Sequence, residues 1–250
     1  MTGLRLFLLA GIAMALAAHQ ATAAEIKVLT PRAVSTVLAE IGSQFERATG
    51  NKITVSVDLA AVATRRVQSG EAFDILVAAP GQVDALVKEG KLAGDSVTNL
   101  VKSGIGVESK AGAPKPDIGS VEAFKRALLA AKSIAYLKQG QSGLAVAKAI
   151  ERIGLTDALK AKLTLPDDDV VSEMVAKGEV ELGMVVITQI MTSPGVELVG
   201  PLPPELQSYV TFAGGVGTAS KAPDAARELI KFLKGPVALP VLKAQGMEPG

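Results

Sequence analysis

The chain has 250 residues, with 26 Lys+Arg against 25 Asp+Glu, one His, no Cys and no Trp; 48% of its residues are apolar. This near-zero charge and an aromatic content of 3% give no support for nucleic-acid binding. Without Cys there are no disulfides and no thiol chemistry, and the length leaves open one large domain or two lobes.

Met1–Ala23 has one basic residue, Arg5, then the apolar run Leu6–Ala18, then small residues ending Ala21-Thr22-Ala23. That order reads as a cleavable secretory signal. The apolar run is too short for the roughly 20 residues that a membrane span needs. Cleavage after Ala23 would remove His19, the single histidine, and Arg5, leaving 25 basic residues against 25 acidic. The mature chain would then have neither the histidine for Ser-His-Asp or Cys-His catalysis nor the usual ligands for zinc, copper or haem. No cofactor and no metal ligand set is expected, and export of a Cys-free chain points to a bacterial periplasm.

After the signal, Ile26–Leu29 is a short apolar strand that ends at Thr30-Pro31. Val34, Val37, Leu38, Ile41 and Phe45 are spaced along one face of a helix over Ala33–Thr49, which Gly50-Asn51 stops. Ile53–Leu59 alternates as a strand, Ala60–Ser69 is helical with Gly70 as its cap, and Phe73–Ala79 is a buried strand. A helix near Gln82–Glu89 follows. Strand alternating with helix predicts parallel pairing and right-handed crossovers.

The style changes at Val97–Glu108, an extended stretch containing Gly104 and Gly106. Beyond it the α/β pattern resumes: helix Val121–Ala131, strand Ser133–Leu137, helix Gly143–Ile153, strand Leu163–Leu165, helix Val170–Lys177 and strand Glu181–Ile187. Ser208–Gly215 is a second extended stretch, and helices Ala222–Leu233 and Val237–Gln245 finish the chain. Two extended crossings that bracket the middle unit predict a first lobe from 24–103 plus 210–250 and a second from 104–209. Two lobes joined by two strands can close on a ligand by hinge motion. A single continuous doubly wound sheet is the other arrangement this order allows.

Several segments carry a resemblance: Ile26–Leu38, Gln44-Phe45 with Gly50, Ser69-Gly-Glu-Ala-Phe-Asp-Ile-Leu-Val-Ala-Ala79, Leu182-Gly-Met-Val-Val186 and Lys234-Gly-Pro236. In this order they resemble the periplasmic solute-binding proteins of ABC importers, closest to the molybdate-binding type. The resemblance implies a class II two-lobed α/β fold with a mixed, mostly parallel sheet in each lobe. It also implies an oxyanion held by hydroxyls and by backbone N–H groups at helix N-termini, where orphan donors and the helix dipole favour an anion.

Carried over by position, the family's contacts fall within Thr30-Pro31-Arg32-Ala33 and Leu59-Ala60-Ala61-Val62, at Ser142-Gly143, at Val170 and at Val186. Ala33, Ala60 and Val186 stand where that family places two serines and a tyrosine. Each lost hydrogen bond to a charged ligand removes about 1.5–3 kcal/mol. Arg32 could replace them with a forked contact to carboxylate or phosphate, so the expected ligand is a larger organic anion. Arg32 is equally readable as a solvated residue at a helix start. Arg65 and Arg66 read as surface residues, and Asp167–Asp169 as acids stabilising a helix start. Ser142-Gly143 is an N-cap region that can face the cleft.

The leading functional reading is a monomeric, non-enzymatic receptor that closes on a small anion and delivers it to an inner-membrane ABC permease, with no catalytic residue. The chain also resembles the aconitate-isomerase offshoot of the same family, which implies proton transfer in a tricarboxylate; Lys138, Tyr136 and Asp58 are then the candidate bases.

Overall fold

A computed structural model describes residues 23–250. The expected signal, save Ala23, lies outside the described residues. No described helix is long and apolar enough to cross a membrane.

β1 (Glu25–Thr30), α1 (Arg32–Thr49), β2 (Lys52–Val57), α2 (Ala60–Gln68) and β3 (Ile75–Ala78) open the fold. β1 is central and parallel to both neighbours, pairing Val28 with Val55 and with Ile75. α1 forms because Val34, Val37, Leu38, Ile41 and Phe45 recur on one face, and all are buried. It stops at Gly50, whose φ of 79° is a left-handed conformation that glycine adopts without a Cβ penalty. In β3 successive side chains enter opposite cores: Ile75 and Val77 pack with α1, Leu76 and Ala78 with Val67, Val83 and Leu86. Burial on both faces explains its unbroken apolar run.

α3 (Pro80–Lys88) leads to β4 (Thr98–Lys110), the 13-residue strand on which the architecture turns. Its first half pairs antiparallel with β9 (Tyr209–Val216), the last pairs being Ser103 with Val210 and Gly104 with Tyr209. From Ile105 onward it pairs with β7 (Leu182–Val186) instead. Around β7 lie β5 (Ile134–Ala135) and β6 (Leu163–Thr164), parallel to one another and to β7. α4 (Val121–Ala130), α5 (Gly140–Arg152), α6 (Thr156–Leu159), α7 (Val171–Lys177) and α8 (Ile187–Thr192) cover this second sheet. α9 (Pro223–Leu233) and α10 (Ala238–Ala244) return to the first; Phe232 of α9 meets Phe45 edge-on at 5.5 Å. The result is a two-lobed α/β fold with a mixed sheet in each lobe and a cleft between them.

Besides two short 3-10 turns, at Gly94–Ser96 and Lys160–Lys162, four described elements were not expected from the sequence: α6, α8, β8 (Val196–Pro201) and β10 (Met247–Pro249). β8 and β10 are antiparallel edge additions to β4, ending at or next to prolines. α5 begins at Gly140, three residues before the expected start, and β5 is shorter than Ser133–Leu137 because the chain leaves the sheet at Tyr136.

Candidate functional site

Between the lobes lies a cleft of ≈ 490 Å³. Its first wall is built by the starts of α1, α2 and α3, each directly following a strand of the first sheet. Its second wall is built by the start of α5, the Asp167–Asp169 loop before α7, and Val186 with Gln189 at the start of α8. Val210 and Phe212 of β9 form the floor. Half of the lining is apolar, including Leu59, Val62, Leu137, Leu144 and Phe212.

The starts of α1, α2 and α5 have in common that no side chain caps them: Pro31, Leu59 and Gln139 occupy the N-cap positions without a side-chain hydrogen bond. In α1 and α2 the first N–H groups bonded back into the chain are those of Val34 and Val62. The preceding N–H groups, at Arg32–Ala33 and Ala60–Ala61, are orphan donors facing the cleft. By contrast, α4 starts away from the cleft, and there the Ser120 hydroxyl accepts from the Ala123 N–H.

Of the nine contact residues expected from the sequence, Arg32, Ala33, Ala60, Ala61, Ser142 and Val186 line this cleft. Thr30, Gly143 and Val170 do not. Thr30 is fully buried, with its hydroxyl directed to the Pro31 carbonyl and its own carbonyl accepting from the Asp58 N–H. Gly143 is packed against the Leu137 carbonyl so closely that a Cβ would stand 2.0 Å from that oxygen. Its role is close packing of α5 against the loop that follows β5. The Val170 N–H donates to the Asp168 carbonyl at 2.9 Å.

Arg32 lies at the mouth, half exposed, with Nε 3.3 Å from Asp169 and Nη1 4.0 Å from Glu173. It joins the two walls. Asp169 is mostly buried and also accepts from the Gln189 amide at 2.8 Å. Burial pushes its carboxyl up, while the Gln189 hydrogen bond and the Arg32 charge pull it back. Arg66 turns away from the cleft and forks onto Glu71, with Nε and Nη2 each 2.6 Å from a carboxylate oxygen; Nη1 also bonds Asp58. Arg65, one residue earlier, lines the cleft.

The three candidate bases fare unequally. Asp58 lines the cleft but is ion-paired with Arg66. Lys138 is outside the lining and pairs with Asp167 at 3.5 Å. Tyr136 is buried, and burial raises its pKa. Gln82, Gln141 and Gln189, not among the contact residues expected from the sequence, also line the walls. Gln141 sits inside the Gly140–Gly143 motif and donates to the Thr211 carbonyl, tying α5 to the floor strand. Helix-start position was the available signal for all three.

A bacterial extracellular solute-binding protein model matches residues 26–248. The chain is 30% identical over 230 residues to an aconitate isomerase of a Pseudomonas species, covering 90% of this chain and 87% of that one. It is also 30% identical over 246 residues to the molybdate-binding protein ModA of Azotobacter vinelandii, covering 96% of both. A solved Azotobacter vinelandii periplasmic molybdate-binding protein superposes with a TM-score of 0.76 at 19% identity, over 90% of this chain and 99% of that one. By family model and by relatives matched along nearly their whole length, the chain belongs to the bacterial extracellular solute-binding proteins, of the molybdate-binding type.

Proposed function

We propose that this protein is a monomeric periplasmic receptor that captures a small organic carboxylate in the interlobe cleft and presents it to an inner-membrane ABC permease. One observation carries the reading. Uncapped starts of α1, α2 and α5 supply N–H donors, yet Ala33, Ala60 and Val186 line the same cleft without a hydroxyl. A bare tetrahedral oxyanion needs donors on every side. An organic acid needs them only at its anionic ends and matches the apolar lining elsewhere, in a volume within the usual range for small-molecule sites.

The reading includes export through a signal at 1–23, a first lobe of 24–103 plus 210–250 and a second of 104–209. The switch of β4 from β9 to β7 between Gly104 and Ile105 supports that division. Closure about these crossings would bury the ligand, with the Arg32 contacts to Asp169 and Glu173 across the mouth. A thermal-shift screen of mineral oxyanions and organic acids tests it, since a ligand bound to the native state raises Tm. Stabilisation by carboxylates is expected; stabilisation by molybdate or tungstate alone would reverse the assignment.

Isomerisation of a tricarboxylate is a second reading, favoured by the aconitate isomerase relative and by Asp169. This carboxyl, paired with Arg32 at 3.3 Å and pushed up by burial inside the cleft, is the group this reading assigns to proton transfer. Incubation with cis- and trans-aconitate separates the two: interconversion abolished in Asp169→Asn supports an enzyme, and binding without interconversion supports a receptor.

A further inference from the structure

Three of the charged groups around the cleft that could grip a ligand are matched within the protein. Asp58 is matched by Arg66, Asp167 by Lys138, and Asp169 by Arg32. Two cations line the cleft, Arg32 and Arg65. Arg32 is engaged by Asp169 and Glu173, whereas Arg65 makes no salt bridge and donates no side-chain hydrogen bond among the described residues. Arg32, readable from the sequence either as an anchor or as a solvated helix-start residue, is engaged at the mouth, and the geometry points to its counterpart on α2 as the free cation.

Helix geometry says what Arg65 can reach. A helical side chain leans toward the N-terminus and covers the turn before its own Cα. On α2 Arg65 stands one turn after Ala61 and lines the cleft together with Asp58, Ala60 and Ala61, while its other side borders a surface groove with Ser69 and Glu71. Arg66, about 100° further round the helix, meets Ser56, Asp58 and Glu71 instead. Two adjacent arginines thus take different tasks, one structural and one free.

We propose that Arg65 is the residue that reads a second carboxylate, so that the ligand is a di- or tricarboxylic acid. This rests on the organic-carboxylate reading above. One carboxylate sits on helix N–H groups, as an anion does at any uncapped helix start in a cleft. The second is gripped by the guanidinium fork, which fits a planar carboxylate through two parallel hydrogen bonds. Asp168 strengthens the direction of the choice. It lines the second wall, exposed and without a salt-bridge partner among the described residues, and repels an anionic group that reaches toward that side. A monocarboxylate gains nothing from Arg65.

Isothermal calorimetry with glutarate, tricarballylate and butyrate on the wild type, Arg65→Gln, Arg65→Lys and Asp168→Asn tests this. Arg65 is exposed and unpaired, so the Arg65 variants should melt with the wild type. Wild type should prefer glutarate or tricarballylate to butyrate by at least about ten-fold, the lower end for a hydrogen-bonded charge contact. Arg65→Gln should erase that preference by weakening only the multiply charged acids, Arg65→Lys should restore part of it, and Asp168→Asn should enlarge it. If the wild type binds these acids and Arg65→Gln keeps the full preference, or weakens butyrate equally, the role of Arg65 is overturned while the carboxylate reading stands. If the wild type binds none of the three, both are overturned.

Discussion

The glutamates Glu71 and Glu108 sit one on each side of the cleft, and their surroundings drive them in opposite directions. Glu71, in the first lobe, accepts two bonds from Arg66 and one from Lys27, which hold its carboxyl down at about 2. Glu108 is fully buried in the second lobe, where among the described residues the Ser172 hydroxyl alone hydrogen-bonds it, at 3.1 and 3.0 Å. Burial first, and the nearby Asp169 charge after it, push this carboxyl up to about 7 against the pull of Ser172. Ion pairs thus brace the end of α2 in the first lobe, whereas the second lobe packs around a carboxyl that favours its neutral form. That contrast decides which cation remains for a ligand: pairing with Glu71 and Asp58 engages Arg66 and leaves Arg65 free.

The largest expected effect breaks the packed wall. Gly143→Ala sets a Cβ 2.0 Å from the Leu137 carbonyl, backbone that cannot move aside cheaply. Overpacking of this kind should cost about 3 kcal/mol, outweighing the helix preference for alanine, and a urea melt would read it as a lower midpoint.

Glu108→Gln sharpens the contrast from the other side. Between about pH 4.5 and about 7 the folded chain keeps a proton on Glu108 that the unfolded chain has released. Its contribution to stability therefore falls as pH rises through that window and is level above it. The glutamine variant should lose this slope and gain up to about 3 kcal/mol at pH 8. Denaturation curves at pH 5 and pH 8 check it. Glu71 works with the opposite sign: its contribution is present above about pH 4.5 and is lost as pH falls toward 2.

Arg66→Gln should cost about 1–2 kcal/mol, because it removes a forked, partly exposed ion pair and a second contact to Asp58. It should also reduce the protection of Glu71 at low pH, leaving only the Lys27 contribution, measurable as an upward shift of its side-chain carboxyl titration by NMR. The smallest stability effect is expected for Arg32→Gln, under about 1 kcal/mol, since the guanidinium is half exposed and its contacts are long. Its signature should instead be a wider mean separation of the lobes in X-ray scattering.

Much of the architecture was legible in the sequence wherever a period could be read. The α1 face from Val34 to Phe45, the stop at Gly50 and the unbroken run of β3 each declare their burial locally. β8 and β10 were hidden because a short strand with proline at its end owes its existence to β4, far away in the chain. The backbone loops that meet at the cleft were also readable, as turns between strand and helix. The electrostatic assignments were not. Nothing in Thr64-Arg65-Arg66-Val67 states which arginine will find Glu71 beyond the Gly70 turn. Nor does a glutamate within Gly106-Val107-Glu108-Ser109 announce that it will be fully buried opposite Gly183, whose missing Cβ leaves room for it.

The proposal of an organic acid rests on a cleft that offers uncapped helix starts at α1, α2 and α5 but no hydroxyl at Ala33, Ala60 or Val186. Calorimetric titration of the purified protein with molybdate and, in parallel, with tricarballylate tests it most directly. Three absent hydroxyl contacts should weaken molybdate by at least about a thousand-fold relative to a site that has them, so carboxylate binding is expected with molybdate heat at or near the baseline. Tight molybdate binding with no heat from the carboxylate would contradict it.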